Sequence, residues 1–162
     1  MLLKIIYTLF LALLVALFVG LGIDAFYPGP QAPEYPIALQ ETTIKPGAEE
    51  TPEQKKIRLE YEQTQRSYEK EMKVYNRYVS IISLAASIII LILSLTLLTK
   101  IKMIADGILL GGVFSTIYSI IRGIMVDDSK FRFLVVVVGL LIALSLGYIK
   151  FIRPNKENLL EK

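Results

Sequence analysis

The sequence predicts an all-α integral membrane protein with four transmembrane helices, the second of which extends outside the membrane as one long amphipathic helix. Three observations support this fold class. The chain is 54% hydrophobic over 162 residues, which is too apolar for a soluble domain of this size. Its apolar residues form long blocks rather than periodic stripes, as membrane spans do. Finally, the stretch 51–99 contains no glycine and no proline after Pro52, so nothing in it interrupts a helix.

The long second helix is predicted from a change in composition near Val79. Residues 51–78 are charged and amphipathic, whereas 79–99 are 21 residues without a charge. We interpret the two segments as one helix, on the order of 70 Å long, that starts in water and ends in lipid. Its start is marked by Thr51 as the N-cap and by a capping box with Gln54.

The first transmembrane helix is predicted at 1–23. Its apolar stretch of 19 residues beginning at Ile5 is longer than the core of a secretory signal, and no small-residue cleavage site follows it, so we expect an uncleaved signal anchor. Residues 24–50 carry prolines at positions 28, 30, 33 and 36. These prolines exclude a helix and favour an extended linker.

Two further spans are predicted at 103–125 and 133–150, and a polar tail follows at 151–162. A tight turn is required near residues 100–102, and a short polar connection makes the last two spans an antiparallel hairpin. Each of these spans carries small residues four positions apart, which allow helix backbones to approach closely. We expect the two ladders to face each other or to face neighbouring subunits. The predicted helix-packing residues are Gly107, Gly111, Ser115, Ser119, Gly139, Ala143 and Gly147.

A stripe of mainly aromatic residues runs along the predicted extramembrane helix. Its members alternate at spacings of four and three, and three of its tyrosines are seven residues apart, which is the coiled-coil period. This stripe is the predicted interaction face. It can pack against a neighbouring subunit, a protein partner or the chain's own linker. Its residues are Ile57, Tyr61, Thr64, Tyr68, Tyr75 and Tyr78.

Charged residues near the third span are the candidates for a polar function in the membrane. Arg122 lies within two turns of Asp127 and Asp128, so the simpler expectation is a local interaction at the membrane surface. The alternative is that rings of Arg122, or of Asp127 and Asp128, guard the mouth of an oligomeric pore. A pore requires a wet face at Ser115, Ser119 and Arg122, whereas a scaffold requires that face to be buried against the fourth helix.

The sequence favours a structural scaffold over an enzyme. It contains no histidine and no cysteine, and no nucleophile–base pair, metal-ligand spacing or phosphate loop, so we expect no catalytic residue, metal or cofactor. Its bases are interleaved with acids, which gives no nucleic-acid footprint. We expect a bilayer-embedded homo-oligomer that assembles through helix 51–78 and the small-residue faces. A separate protein partner for that helix is a further expectation, and an oligomeric pore lined by the third span is the alternative function.

The distribution of basic residues predicts the orientation. If the four spans alternate, one side of the membrane holds Lys4, Lys100, Lys102, Lys150, Arg153 and Lys156. By the positive-inside rule this side is cytoplasmic. The other side holds more bases in total, but acids are interspersed among them. We expect a multi-pass protein of the plasma (inner) membrane with both termini cytoplasmic and residues 24–78 extracytoplasmic.

Overall fold

The computed structural model of the chain describes residues 2–39, 51–96 and 101–152. No strand occurs within these segments, so the predicted all-α class is confirmed. The helices are α1 (Leu2–Phe26), α2 (Pro52–Thr96), α3 (Lys102–Ile124) and α4 (Ser129–Gly147), and a π-helical turn (Tyr148–Ile152) follows α4.

Four helices of the described chain are long and apolar enough to cross a membrane. This criterion rests on length and composition alone, because a bilayer core requires about 20 predominantly apolar residues in a helix. The result confirms the predicted number of apolar helices and supports a multi-pass membrane protein. The predicted turn near residues 100–102 falls partly on residues 97–100, which lie outside the described chain, as do 40–50 of the linker and 153–162 of the polar tail.

Two helix starts follow directly from the local sequence. The predicted capping box is confirmed, because the Thr51 N–H donates to Gln54 Oε1 at 2.9 Å and the Gln54 N–H donates to Thr51 Oγ1 at 3.2 Å. The side chain of Asp128 caps α4 by accepting from the backbone N–H groups of Lys130 and Phe131. The helix therefore begins before the predicted span 133–150, because a capping side chain fixes the start of a helix independently of hydropathy.

The chain divides into two compact units. The first, which we call the linker unit, is Gly29–Tyr75 and contains the linker and the N-terminal part of α2. The second, which we call the helical bundle, comprises Met1–Pro28 and Asn76–Lys162. It therefore contains α1, α3, α4 and the apolar part of α2.

The central helix of the helical bundle is α3, which contacts α1, α2 and α4. Every buried residue of α3 is small. Such residues leave room for a neighbouring backbone, which matters in lipid because acyl chains are as apolar as the helices and provide no hydrophobic drive for association. The buried residues are Ala105, Gly107, Gly111, Gly112, Ser115, Thr116, Ser119 and Gly123.

Two glycines in the second and third turns of α3 pack against α1. A Cβ atom built on Gly107 would lie 2.8 Å from Leu11 Cδ2, and one built on Gly111 would lie 2.6 Å from Val15 Cβ. The residue numbers of the two contacting pairs increase in the same direction along both helices, so α1 and α3 run parallel. Two glycines four residues apart against a parallel neighbour are a GxxxG contact. We expected the small-residue ladders of α3 and α4 to face each other or neighbouring subunits. In the N-terminal half of α3 the ladder faces α1 instead.

The ladder of α4 is only partly covered by the chain. A Cβ atom built on Gly139 would lie 2.9 Å from Ile120 Cδ1, so this glycine does face α3. Its contact is a large side chain rather than the small-residue ladder. Further along α4, Ala143 is exposed, and a Cβ atom on Gly147 would meet nothing within 4 Å.

We predict that Gly111→Ala destabilises the helical bundle, because its new methyl group would overlap Val15. The expected loss is about 1–3 kcal/mol, which is typical of overpacking. Gly22→Ala in α1 is the matched control, since a Cβ atom there meets nothing within 4 Å, and it should be neutral or slightly stabilising. The stability of both variants is measured by unfolding in mixtures of a mild and a denaturing detergent. Equal midpoints for the two variants would contradict the assigned contact.

Candidate functional site

A hydrogen-bonded seam joins α2 to α3 inside the helical bundle. Ser80 Oγ donates to the Ser119 carbonyl at 2.9 Å, and Ser119 Oγ donates to the Ser80 carbonyl at 2.7 Å. Both side chains are 0% exposed. Each helix therefore provides the other with a donor and an acceptor at the same level, which satisfies groups that lipid would leave unpaired.

The seam continues along both helices at helical spacing. The Thr116 hydroxyl lies 3.1 Å from Ser87 Oγ and 3.0 Å from the Gly112 carbonyl. Nearer the end of α2, Ser94 Oγ donates to the Ala105 carbonyl at 2.6 Å. The α2 serines at 80, 87 and 94 are seven residues apart, a period that keeps one face turned toward a packed neighbour. Among the described residues, no buried side-chain nitrogen or oxygen lacks a hydrogen-bond partner.

The face of α3 formed by Ser115, Ser119 and Arg122 is directed into the bundle. Ser115 is 0% exposed, and its hydroxyl donates to the Gly111 carbonyl of its own helix at 3.0 Å. Ser119 is covered by α2, not by α4 as the scaffold interpretation expects. The burial matches that interpretation, but the neighbour is different, because the serines of α2 provide complementary hydroxyls that α4 does not have at this level.

Arg122 binds two side chains that the sequence analysis did not name. One terminal guanidinium nitrogen donates to Asn76 Oδ1 at 2.9 Å, and Nε donates to the Tyr118 hydroxyl at 3.0 Å. The guanidinium carbon also lies 5.3 Å from the centre of the Tyr118 ring, within cation–π range. Tyr118 is one helical turn from Arg122, so spacing alone could have indicated it. Asn76 is 46 residues away, and no sequence signal indicates that pairing.

The two predicted aspartates lie beside basic residues at the same end of the bundle. Asp128 lies 4.0 Å from an Arg77 guanidinium nitrogen, and Asp127 lies 3.9 Å from Arg132. The side chains in these pairs are roughly half exposed, so each pair contributes about 0–1 kcal/mol. Arg77 also lies 5.0 Å from the centre of the Phe131 ring. The carboxylates thus connect α2 and α4 with the loop after α3.

In the linker unit, the chain's own linker covers part of the tyrosine stripe. The rings of Tyr35 and Tyr61 meet edge to face, with centroids 5.4 Å apart. A Cβ atom on Gly29 would lie 3.1 Å from the ring of Tyr75, which is only 7% exposed. Glycine at position 29 therefore allows the linker to pass close to that ring.

The other stripe residues are more open. Ile57 and Tyr68 are partly buried and Thr64 is exposed. Tyr78 belongs to the helical bundle, where its ring lies 6.3 Å from that of Tyr27, and it remains 51% exposed. The linker thus contacts Tyr61 and Tyr75, and Tyr68 between them remains partly exposed.

We predict that Ser80→Ala and Ser119→Ala each destabilise the bundle by about 0.6 kcal/mol, and by at most ~1.7, the range for hydrogen bonds between membrane helices. The double variant should cost more than either single variant, because each hydroxyl also donates to the other residue's backbone, which the substitutions leave in place. It should cost less than the sum, because the two hydroxyl oxygens lie 3.3 Å apart and residues in contact couple. The free energies of unfolding of the wild type, the two single variants and the double variant, measured in detergent, form a double-mutant cycle. Ser145→Ala, at an exposed position of α4, is the control. A double variant no weaker than either single variant would contradict the reciprocal geometry.

Among the described residues, no group of three or more Asp, Glu, His or Cys side chains converges where it could hold a metal ion. No protein-family model, curated protein or solved structure matches the chain.

Proposed function

We propose that the protein is a self-assembling membrane scaffold, in which the helical bundle is the anchor and the charged part of α2 is the extramembrane contact surface. The observation that carries this proposal is the complete burial of Ser115 and Ser119. A helix that lines an aqueous pore presents polar side chains to the lumen. Here both hydroxyls donate to backbone carbonyls within one chain, which counts against a pore lined by α3.

The outer helices provide surface for lipid or for another copy. Of the most apolar 18-residue stretch in each helix, the buried share is 11% in α1 and 6% in α4, compared with 39% in α3. On α4, Ala143 and Gly147 lie on uncovered surface where a neighbouring helix can approach closely. These positions favour self-assembly through α4, because helices of the same chain already cover the glycines of α3.

The extramembrane surface is the middle of the tyrosine stripe. Tyr68 lies between the two tyrosines that the linker covers, and it retains partial exposure. Tyrosine combines a large apolar ring with a polar hydroxyl, and such residues are enriched at protein interfaces. The simplest occupant is the same stripe of a second copy, because seven-residue spacing is suited to a paired helix.

We also propose that the end of the bundle where α1 and α3 begin is cytoplasmic, in the plasma (inner) membrane. Lys4 and Lys102 line one groove at this end, and Lys102 and Lys150 line another. This clustering of bases supports the positive-inside assignment. Under this proposal both termini are cytoplasmic and residues 24–78 are extracytoplasmic.

We predict that Tyr68→Glu weakens self-association by at least about tenfold, because an unpaired carboxylate buried in the interface costs roughly 1–3 kcal/mol. Gln63→Glu adds the same charge at an exposed position of the same helix and should leave assembly unchanged. Mass photometry in nanodiscs gives the subunit number for each variant. An unchanged distribution for Tyr68→Glu would exclude assembly through the stripe.

We predict no ion conductance for the wild-type protein in planar bilayers, because the polar residues of α3 are internally satisfied. The pore alternative predicts a conductance whose ion selectivity changes in Arg122→Glu. Arg122→Gln, which removes the charge without reversing it, is the companion variant. A selective conductance that follows the charge at position 122 would replace the scaffold with the pore.

A further inference from the structure

A groove opens between the first turns of α1 and α3, at the end of the helical bundle where both helices begin. Its volume is about 520 Å³, which is within the ~300–1,000 Å³ typical of small-molecule sites. None of its residues takes part in the seam or in the tyrosine stripe. It is lined by Lys4, Ile5, Thr8, Leu9, Lys102, Met103, Asp106 and Leu110.

The polar and apolar linings are arranged along the helix axes. Lys4 and Lys102 lie in the first turn of their helices, whereas Leu9 and Leu110 lie further along α1 and α3. Because the two helices run parallel and Gly107 lies beside Leu11, the Cα atoms of Lys4 and Lys102 lie about 3 Å apart along the axis, and Leu9 and Leu110 lie about 7–12 Å further along their own helices at ~1.5 Å per residue. The groove therefore has a cationic mouth and an apolar floor, as an amphiphile requires.

The charge balance at the mouth favours an anion. Within the described chain, neither Lys4 nor Lys102 forms a salt bridge, whereas the Asp106 carboxylate accepts a hydrogen bond from Lys150 Nζ at 2.5 Å. The one carboxylate of the groove is thus neutralised by a partner outside it, and two ammonium groups remain for a ligand. A second groove of about 500 Å³ shares Lys102 and Asp106 with the first and also includes Lys150; because Lys150 pairs with Asp106, the net positive charge of this groove comes from Lys102.

We propose that the groove between α1 and α3 is a binding site for one anionic phospholipid. The phosphate lies between Lys4 and Lys102, and an acyl chain follows Ile5, Leu9 and Leu110. Basic pockets between membrane helices at headgroup level are suited to such lipids. A lipid bound to both helices stabilises their contact, since any ligand that binds only the folded state raises stability. This inference does not depend on self-assembly.

The test is native mass spectrometry of the full-length chain in detergent, titrated with phosphatidylglycerol and, separately, with phosphatidylcholine. The wild type should bind one phosphatidylglycerol more tightly than phosphatidylcholine. The variant Lys4→Gln/Lys102→Gln should lose about 30-fold in phosphatidylglycerol affinity, and each single variant about 5-fold, at ~1 kcal/mol per base near the headgroup. Affinity for phosphatidylcholine should not change.

Two further variants distinguish this site from general attraction. Lys70→Gln/Lys130→Gln removes the same charge from exposed positions outside the groove and should leave phosphatidylglycerol binding unchanged. Leu9→Gln keeps both lysines but makes the floor of the groove polar. It should lower the affinity for phosphatidylglycerol, whereas the affinity for glycerol 3-phosphate, the soluble headgroup, should not change. Thermal unfolding verifies that each variant is folded.

Three results would overturn the proposal. The first is equal wild-type affinity for the two phospholipids. The second is an equal loss in the groove variant and in the charge-matched control, which would indicate nonspecific electrostatics. The third is glycerol 3-phosphate binding as tight as that of the whole lipid, which would identify a phosphate site instead.

Discussion

The close approach of three helices to α3 is the constraint on which the helical bundle depends. In lipid, association relies on short-range dispersion and hydrogen bonding, and a gap of about 0.5–1 Å already removes a quarter to a half of the dispersion attraction. Gly107 and Gly111 bring α1 to the backbone of α3, while Gly112 receives Leu91 of α2. Side chains on α3 at these positions would hold its neighbours apart. The absence of large buried residues on the central helix is therefore a condition for the whole arrangement.

Close approach also explains how the bundle accommodates so many buried hydroxyl groups. When the backbones of α2 and α3 are near each other, a serine on one reaches a carbonyl on the other, as Ser80 and Ser119 do in both directions. The same proximity allows Arg122 to reach Asn76. The hydrogen bonding of buried hydroxyls and the packing of small residues therefore depend on each other. Unpaired hydroxyls in the bundle would destabilise it, and without the close packing of small residues the hydroxyls could not reach their acceptors on the neighbouring helix.

The sequence predicts the elements better than it predicts their neighbours. Hydropathy and the Thr51 capping box are local properties, so four apolar helices and the start of α2 could be derived from the chain alone. The partner of a small residue is not local. Spacing shows that Gly107 and Gly111 share a helix face, but the same spacing results whether that face meets α1, α4 or a second copy. Long-range pairs such as Asp106 with Lys150, 44 residues apart, leave no periodic signal.

The position of α3 has a consequence for the order of events during synthesis. The helix that α1 packs against begins at Lys102, about 75 residues after α1 ends at Phe26. At roughly 5–20 residues per second, α1 waits about 4–15 s in the bilayer before its partner has been made. During that interval the face of α1 around Leu11 and Val15 lacks the α3 glycines that it contacts in the bundle. A helix that spends this time alone must be stable as an isolated span, and α1, with a mean hydropathy of 2.6 and no charge between Lys4 and Asp24, meets that requirement.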